Sequence, residues 1–516
     1  MCVFFFAFSL GVLGRLPTFL VVFVDRLQGF EWYQAGGGNY YNWLKGKAEE
    51  LGEAGVTSIW IPPPTKATGP GDVGYGIYDL WDLGEFNQKG GVATKWGTKQ
   101  QLISLISTLK ANGIETYIDT VLNHRAASDY SESFTATEVQ ANNRLKAVGD
   151  PYTITAHTGF DFAARKGKYS NLKMNHTHFK GVNKDVKTGK SSIWLIKGHE
   201  WATDVSDEQH NYDYLFFADV DHSVPAVHDD VIKWGKWLLD TTGAAGFRLD
   251  AVKHFARSFT ADFVHQMRLH TGNSNLFFVG EYWYSRVEPL KKWLKALPSS
   301  SSISLFDAPL HYNFYHASKS DNIDLRTIFN GSLVLDMPTQ AVTFVENHDT
   351  QPTQALQSSP AAWFKPLAYS LILLRDAGYP CLFGGDLWGI NTKTGSAPIA
   401  QLLDFVRARK YFGYGRTTDY FDSPTSIGWT RAGDDNHDPV AVILCGSGKS
   451  EEKKMQVPGG AARAGEVWTD ALGWSSGSVT VGRNGWTVFK CSAKSVSIWT
   501  KTNARGREKF SKAQTY

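Results

Sequence analysis

The chain has 516 residues, 42% of them hydrophobic and 20% charged, enough for a barrel-sized folded domain plus one or two smaller ones. Its net charge of +3, with basic residues scattered rather than clustered, gives no footing for a nucleic-acid partner. Cys2, Cys381, Cys445 and Cys491 lie too far apart for a CxxC metal pattern or a disulfide framework, so they leave the compartment open.

Residues 1–24 are apolar except for Arg15. A signal peptide, a membrane helix interrupted by a costly arginine, and a mistaken gene start each account for part of this segment. The first implies secretion and the last a cytoplasmic protein, so localisation stays open. The sequons Asn175-His176-Thr177 and Asn330-Gly331-Ser332 are usable only after secretion. The apolar segment is expected to end at residue 26.

Further on, β-type runs alternate with helix-period segments. Val56–Ile61 and Ile114–Leu122 read as buried strands. Between them Lys99–Ala111 carries Leu102, Ile103, Ile106 and Leu109 at helical spacing, stopped by Asn112-Gly113. His228–Leu239 then precedes strand Gly246–Leu249, and Phe259–Leu269 precedes strand Leu276–Val279. Val342–Val345 is another strand, and Trp363–Leu374 leads to Cys381–Phe383. This alternation predicts an α/β fold, a parallel barrel with helical cover, over residues 27–124 and 218–415. Residues 125–217 are rich in Thr, Ser, Asn, Gly and Lys and read as an inserted β-rich subdomain forming one wall of a cleft. Short alternating stretches over residues 416–500 predict a C-terminal all-β sandwich, and 501–516 a disordered polar tail.

Three of the strands end in carboxylates: Arg248-Leu249-Asp250, Val279-Gly280-Glu281 and Asn347-His348-Asp349. A parallel barrel gathers its strand ends at one face, and cleavage of a sugar bond needs one acid to attack while another protonates the leaving oxygen. Arg248 and Asp250 point the same way along a strand, so the guanidinium is expected to lower the Asp250 pKa and keep it ionised. Glu281, beside Tyr282-Trp283, is expected to have a raised pKa suited to a proton donor. Asn123-His124 repeats the Asn-His pair of Asn347-His348 on another strand. The chain's 18 Trp, 21 Tyr and 31 Phe also suit a cleft in which rings stack on sugars.

Asp119–His124, Gly246–His254, Gly280-Glu281 and Phe344–Asp349 resemble, in order, the four motif blocks of the alpha-amylase family of glycoside hydrolases. Asp72–Leu80, Ala251–His254 and Asn347–Pro352 look like its liquefying type, found in bacteria and as intracellular enzymes in fungi. The likeness runs from about Leu27 to Trp499. It implies a (β/α)8 TIM barrel with the inserted subdomain after strand 3, and endo-acting, retaining hydrolysis of alpha-1,4-glucosidic bonds. Asp250 would be the nucleophile, Glu281 the general acid/base, and Asp349 the third carboxylate. Tyr75, His124, Arg248 and His348 would bind the cleaved sugar unit, and Lys253 and His254 would line the leaving-group side. A structural Ca²⁺ would be held by Asn123, Asp213, Asp219 and the His254 carbonyl, all hard oxygen donors. Two departures stand out. Of the acids that build a second metal cluster in the bacterial enzymes only Asp221 remains, while Lys180 and Ala202 occupy matching positions, so one calcium is expected. Asp25-Arg26 also sits where apolar residues belong in the first strand.

Within the same fold, an exo-acting maltooligosaccharide-former or a transglycosylase is the alternative. An inactive membrane-anchored partner or an inactive starch-binding module is opposed by the intact three acids. The expected partner is an alpha-glucan, and the expected state is a monomer.

Overall fold

The computed structural model describes residues 25–392 and 395–511, so the expectation for residues 1–24 lies outside them. Eight short strands, buried along almost their whole length, form the centre. They are β1 (Arg26–Gln28), β2 (Ser58–Ile61), β3 (Glu115–Thr120), β4 (Gly246–Leu249), β5 (Phe277–Gly280), β6 (Ser304–Phe306), β7 (Ala341–Phe344) and β8 (Tyr379–Phe383). Each pairs in parallel with its neighbours in chain order, and β1 closes the barrel against β8. A closed sheet has no free edge and brings every strand's C-terminal end to one rim.

The helices lie outside, and Lys99–Ala111 shows why they form where they do. Leu102, Leu105, Ile106 and Leu109 make one buried face, each contributing about 1.5–3 kcal/mol by burial. Thr98 and Gln101 cap the first turn reciprocally, and Asn112 ends the helix. Among the described residues no helix is long and apolar enough to cross a membrane.

Asp25 and Arg26 belong to the barrel, not to the apolar segment before it. The Arg26 guanidinium lies 3.9 Å from the Phe277 ring centroid and 4.7 Å from that of Tyr379, so aromatic faces take the place of the expected apolar contacts. Asp25 meets Arg409 at 2.5 Å. The sixth strand has no counterpart in the sequence reading.

The inserted region forms a seven-stranded antiparallel sheet. Its first and last strands, His124–Arg125 and Ala218–Val220, pair with each other, so the sheet reaches slightly beyond residues 125–217 on both sides. The C-terminal region stacks a six-stranded sheet on the antiparallel pair Glu451–Gln456 and Trp486–Cys491. Ile443, Met455, Trp468, Phe489 and Trp499 fill the space between them. Cys381, Cys445 and Cys491 are free and buried.

The tail expected to be disordered from residue 501 is anchored as far as residue 511. Arg507 donates to the Thr469 carbonyl and hydroxyl at 3.0 and 2.9 Å, and Phe510 stacks on Phe412. One aromatic and one arginine in a polar segment are enough to hold it down.

Candidate active site

A cavity of about 520 Å³ opens at the C-terminal rim of the barrel. Asp250, Glu281 and Asp349, supplied by the ends of β4, β5 and β7, all line it. Tyr75, Lys253, His254 and His348 share the same lining.

The acids are organised by Arg248. Its side chain is buried, with Nη1 at 2.9 Å from Asp119 and 2.5 Å from Asp250, and Nη2 at 2.6 Å from Glu281. One guanidinium therefore serves three carboxylates. Asp119 is placed by register, since Arg248 on β4 sits directly beside Asp119 on β3. Asp119 also accepts from Tyr75 Oη at 2.7 Å and Trp60 Nε1 at 3.0 Å, which fixes it and the Tyr75 ring.

The expected lowering of the Asp250 pKa does not hold. Burial raises it, and the opposing pull of Arg248, shared with Asp119 and Glu281, is the smaller effect. Burial raises Glu281 as well, and raises Asp349 strongly. Interaction between the two carboxyls works against burial on Asp250 and with it on Glu281.

The backbone turns sharply after Asp250. Ala251 has φ +50°, a strained value for a residue with a side chain. Its N–H lies 3.3 Å from Glu281 Oε2, while Val252 N donates to the Glu281 carbonyl at 3.0 Å. The turn sends Val252–His254 across the rim toward the inserted sheet. There Lys253 Nζ pairs with Glu208 at 2.6 Å and donates to the Trp283 carbonyl at 2.9 Å. His254 Nδ1 meets the Tyr212 carbonyl at 2.8 Å, and burial lowers its pKa to about 3.

One wall is flat. Trp32, Tyr75 and His348 lie in nearly parallel planes, with interplanar angles of 2° to 6°. His348 is fixed by Gln28 Nε2 at 2.9 Å and lies 3.4 Å from Asp349. Gly74 precedes Tyr75 at φ +111°, and a Cβ there would lie 2.7 Å from Pro63, so this turn admits only glycine.

Two candidates sit behind the lining rather than in it. Arg248 is buried beneath the acids and holds them instead of facing a sugar. His124 is fully buried, with Nε2 at 2.8 Å from the Tyr75 carbonyl, so it supports Tyr75 from behind. Asp119 and Trp32 were not singled out from the sequence. Asp119 was visible only as part of a motif, and Trp32 is one of many aromatics.

Beneath the rim, Asn123, Asp213 and Asp219 are buried. Asn123 Oδ1, Asp213 Oδ1 and Asp219 Oδ2 have no hydrogen-bond partner. Burial raises both aspartates. Among the described residues no three His, Cys, Asp or Glu side chains converge as a metal site, and this is a mixed set of carboxylates and an amide. Buried oxygens left without donors fit a hard cation.

The family description "Alpha amylase, catalytic domain" matches residues 44–401. The chain belongs to the alpha-amylase family. It is 44% identical to a glucan 1,4-alpha-maltohexaosidase of Bacillus sp. (strain 707), over 92% of this chain and 91% of that protein. It is 43% identical to an alpha-amylase of Geobacillus stearothermophilus, over 92% and 86% respectively. To the cytoplasmic alpha-amylase of Escherichia coli (strain K12) it is 36% identical, over 92% and 98%. The fold is that of a Geobacillus thermoleovorans alpha-amylase crystallised with acarbose, with TM-score 0.62 at 15% identity over 93% of this chain and 98% of that one. This family's barrel, closed in chain order with its acids at the rim, is the frame on which the site above is built.

Proposed function

We propose that the cavity hydrolyses alpha-1,4-glucosidic bonds within starch, glycogen and maltooligosaccharides by endo attack with retention. Asp250 is the nucleophile, Glu281 the general acid/base, and Asp349 the carboxylate that grips the distorted sugar. The observation that carries these roles is the Arg248 fork, which holds Asp250 and Glu281 side by side in the cavity lining, with burial favouring a proton on Glu281. Glu281 gives that proton to the glycosidic oxygen while an Asp250 oxygen attacks the anomeric carbon. The C–O bond breaks and the sugar becomes an ester of Asp250. Glu281, now a carboxylate, takes a proton from water as the water oxygen displaces Asp250, returning the acid to its starting state. The Trp32–Tyr75–His348 wall offers a stacking face, and Lys253 and His254 suit the leaving-group side.

Asn123, Asp213, Asp219 and the His254 carbonyl would hold one structural Ca²⁺. Bound there it supplies positive charge that ties the inserted sheet to the barrel and fixes the turn after Asp250. Only folded protein offers this set, so binding raises stability by mass action.

The 44%-identical relative named a maltohexaosidase supports a second reading, exo-acting release of a single oligosaccharide. Early product lengths from soluble starch decide between them. Endo attack gives a fast fall in viscosity with a broad ladder of products, and one dominant oligosaccharide from the first minutes overturns it.

A further inference from the structure

Lys180 stands on strand Phe179–Lys184, which pairs with Ala218–Val220, the strand that carries Asp219. Its side chain is 4% exposed, and its ammonium lies 2.7 Å from Asp213 Oδ2, a carboxylate that is itself fully buried. The same Oδ2 accepts from Ala202 N at 2.7 Å, while Asp213 Oδ1 is left without a partner. Asp219 and Asp221 also act on Lys180 through their charge. Asp221 is already engaged by His199 Nδ1 at 2.6 Å and by the hydroxyl of Ser223 at 2.6 Å.

We propose that the Lys180 ammonium is a built-in cation of this cluster, replacing a second metal ion and holding Asp213 so that its other oxygen faces the calcium. With calcium bound, Asp213, Asp219 and Asp221 would carry three negative charges. One Ca²⁺ and one ammonium balance them, so a further metal has no charge left to answer. Without metal the ammonium still offsets part of the repulsion, and the inserted sheet keeps its seat on the barrel. An ammonium tethered by its own chain needs no binding equilibrium, which lowers the subdomain's dependence on free calcium. Coulomb attraction between groups this buried is only weakly screened by salt. Lys180 is a positioning residue, and the part of this inference that concerns Asp213 as a ligand rests on the calcium site proposed above.

The test uses the full chain and its Lys180→Met and Lys180→Asp variants. Melting temperature is read in chelator and in excess Ca²⁺, and metal per chain is counted after dialysis. Wild type is expected to hold about one calcium and to melt lower in chelator. Lys180→Met is expected to melt several degrees below wild type in chelator, and its gap between chelator and calcium to exceed the wild-type gap. Lys180→Asp adds a fourth carboxylate and is expected to take up more metal per chain than wild type, with folding that depends on it. A Lys180→Met chain that melts at the wild-type temperature in chelator, or whose calcium gap is no wider, overturns the proposal. Should that variant fail to fold in either buffer, Lys180→Asp decides, and its folding without extra metal overturns the proposal. A wild-type chain that holds no calcium removes the calcium site alone, because the chelator comparison still tests the ammonium.

Discussion

Asp250→Asn and Glu281→Gln each reduce starch hydrolysis by about 100-fold or more while leaving the folded barrel in place. The two losses differ in kind. Asparagine at 250 cannot form the ester, so both halves of the reaction stop. Glutamine at 281 cannot protonate the leaving oxygen, so the first half fails most for poor leaving groups. A substrate with an acidic phenol as leaving group needs little protonation, and with it Glu281→Gln is expected to recover much of its first-step rate. Asp250→Asn is expected to recover none. Steady-state rates on starch and on an aryl maltooligoside check this, and an Asp250→Asn chain with more than about a tenth of wild-type turnover contradicts the assignment.

Arg248→Met carries the second large effect, because it removes the cation shared by Asp119, Asp250 and Glu281. Breaking a buried ion cluster on one side costs about 3–5 kcal/mol, since the charges left behind stay buried. The sign with pH follows from the charges. Arg248 pulls the carboxyl pKa values down against burial, so its loss lets Asp250 rise further. The acid limb of kcat/KM therefore moves to higher pH. In the variant the folded acids bind protons more tightly than the unfolded chain does. Its stability deficit is then largest at alkaline pH and shrinks as pH falls through their raised pKa values. Melting temperature and kcat/KM measured across pH test both statements. An unmoved acid limb would show that Arg248 does not set the ionisation of Asp250.

The ends of β4, β5 and β7 were legible because each couples a buried apolar run to a carboxylate, two signals that rarely coincide without a reason. Strand β6 was not, since Ser304-Leu305-Phe306 is three residues long and follows a run of serines. Asp119 was hidden by distance, for its partner Arg248 is 129 residues away and only the β3–β4 register brings them together. The two Asn-His pairs look alike in sequence, yet His348 lies in the flat wall of the cavity while His124 is spent on a backbone carbonyl. Both rings are buried, so their partners decide that difference, and a dipeptide cannot report partners. The same limit explains Asp250: the sequence shows the neighbouring arginine but not the two other acids that share it.

The account rests on a double displacement at one anomeric carbon, and proton NMR of the first products from a maltooligosaccharide reads it directly. Two inversions leave the new reducing end in the alpha configuration before mutarotation mixes the anomers. An initial alpha signal that decays toward the equilibrium mixture is the predicted result. An initial beta signal would mean a single displacement by water, and would contradict the role given to Asp250.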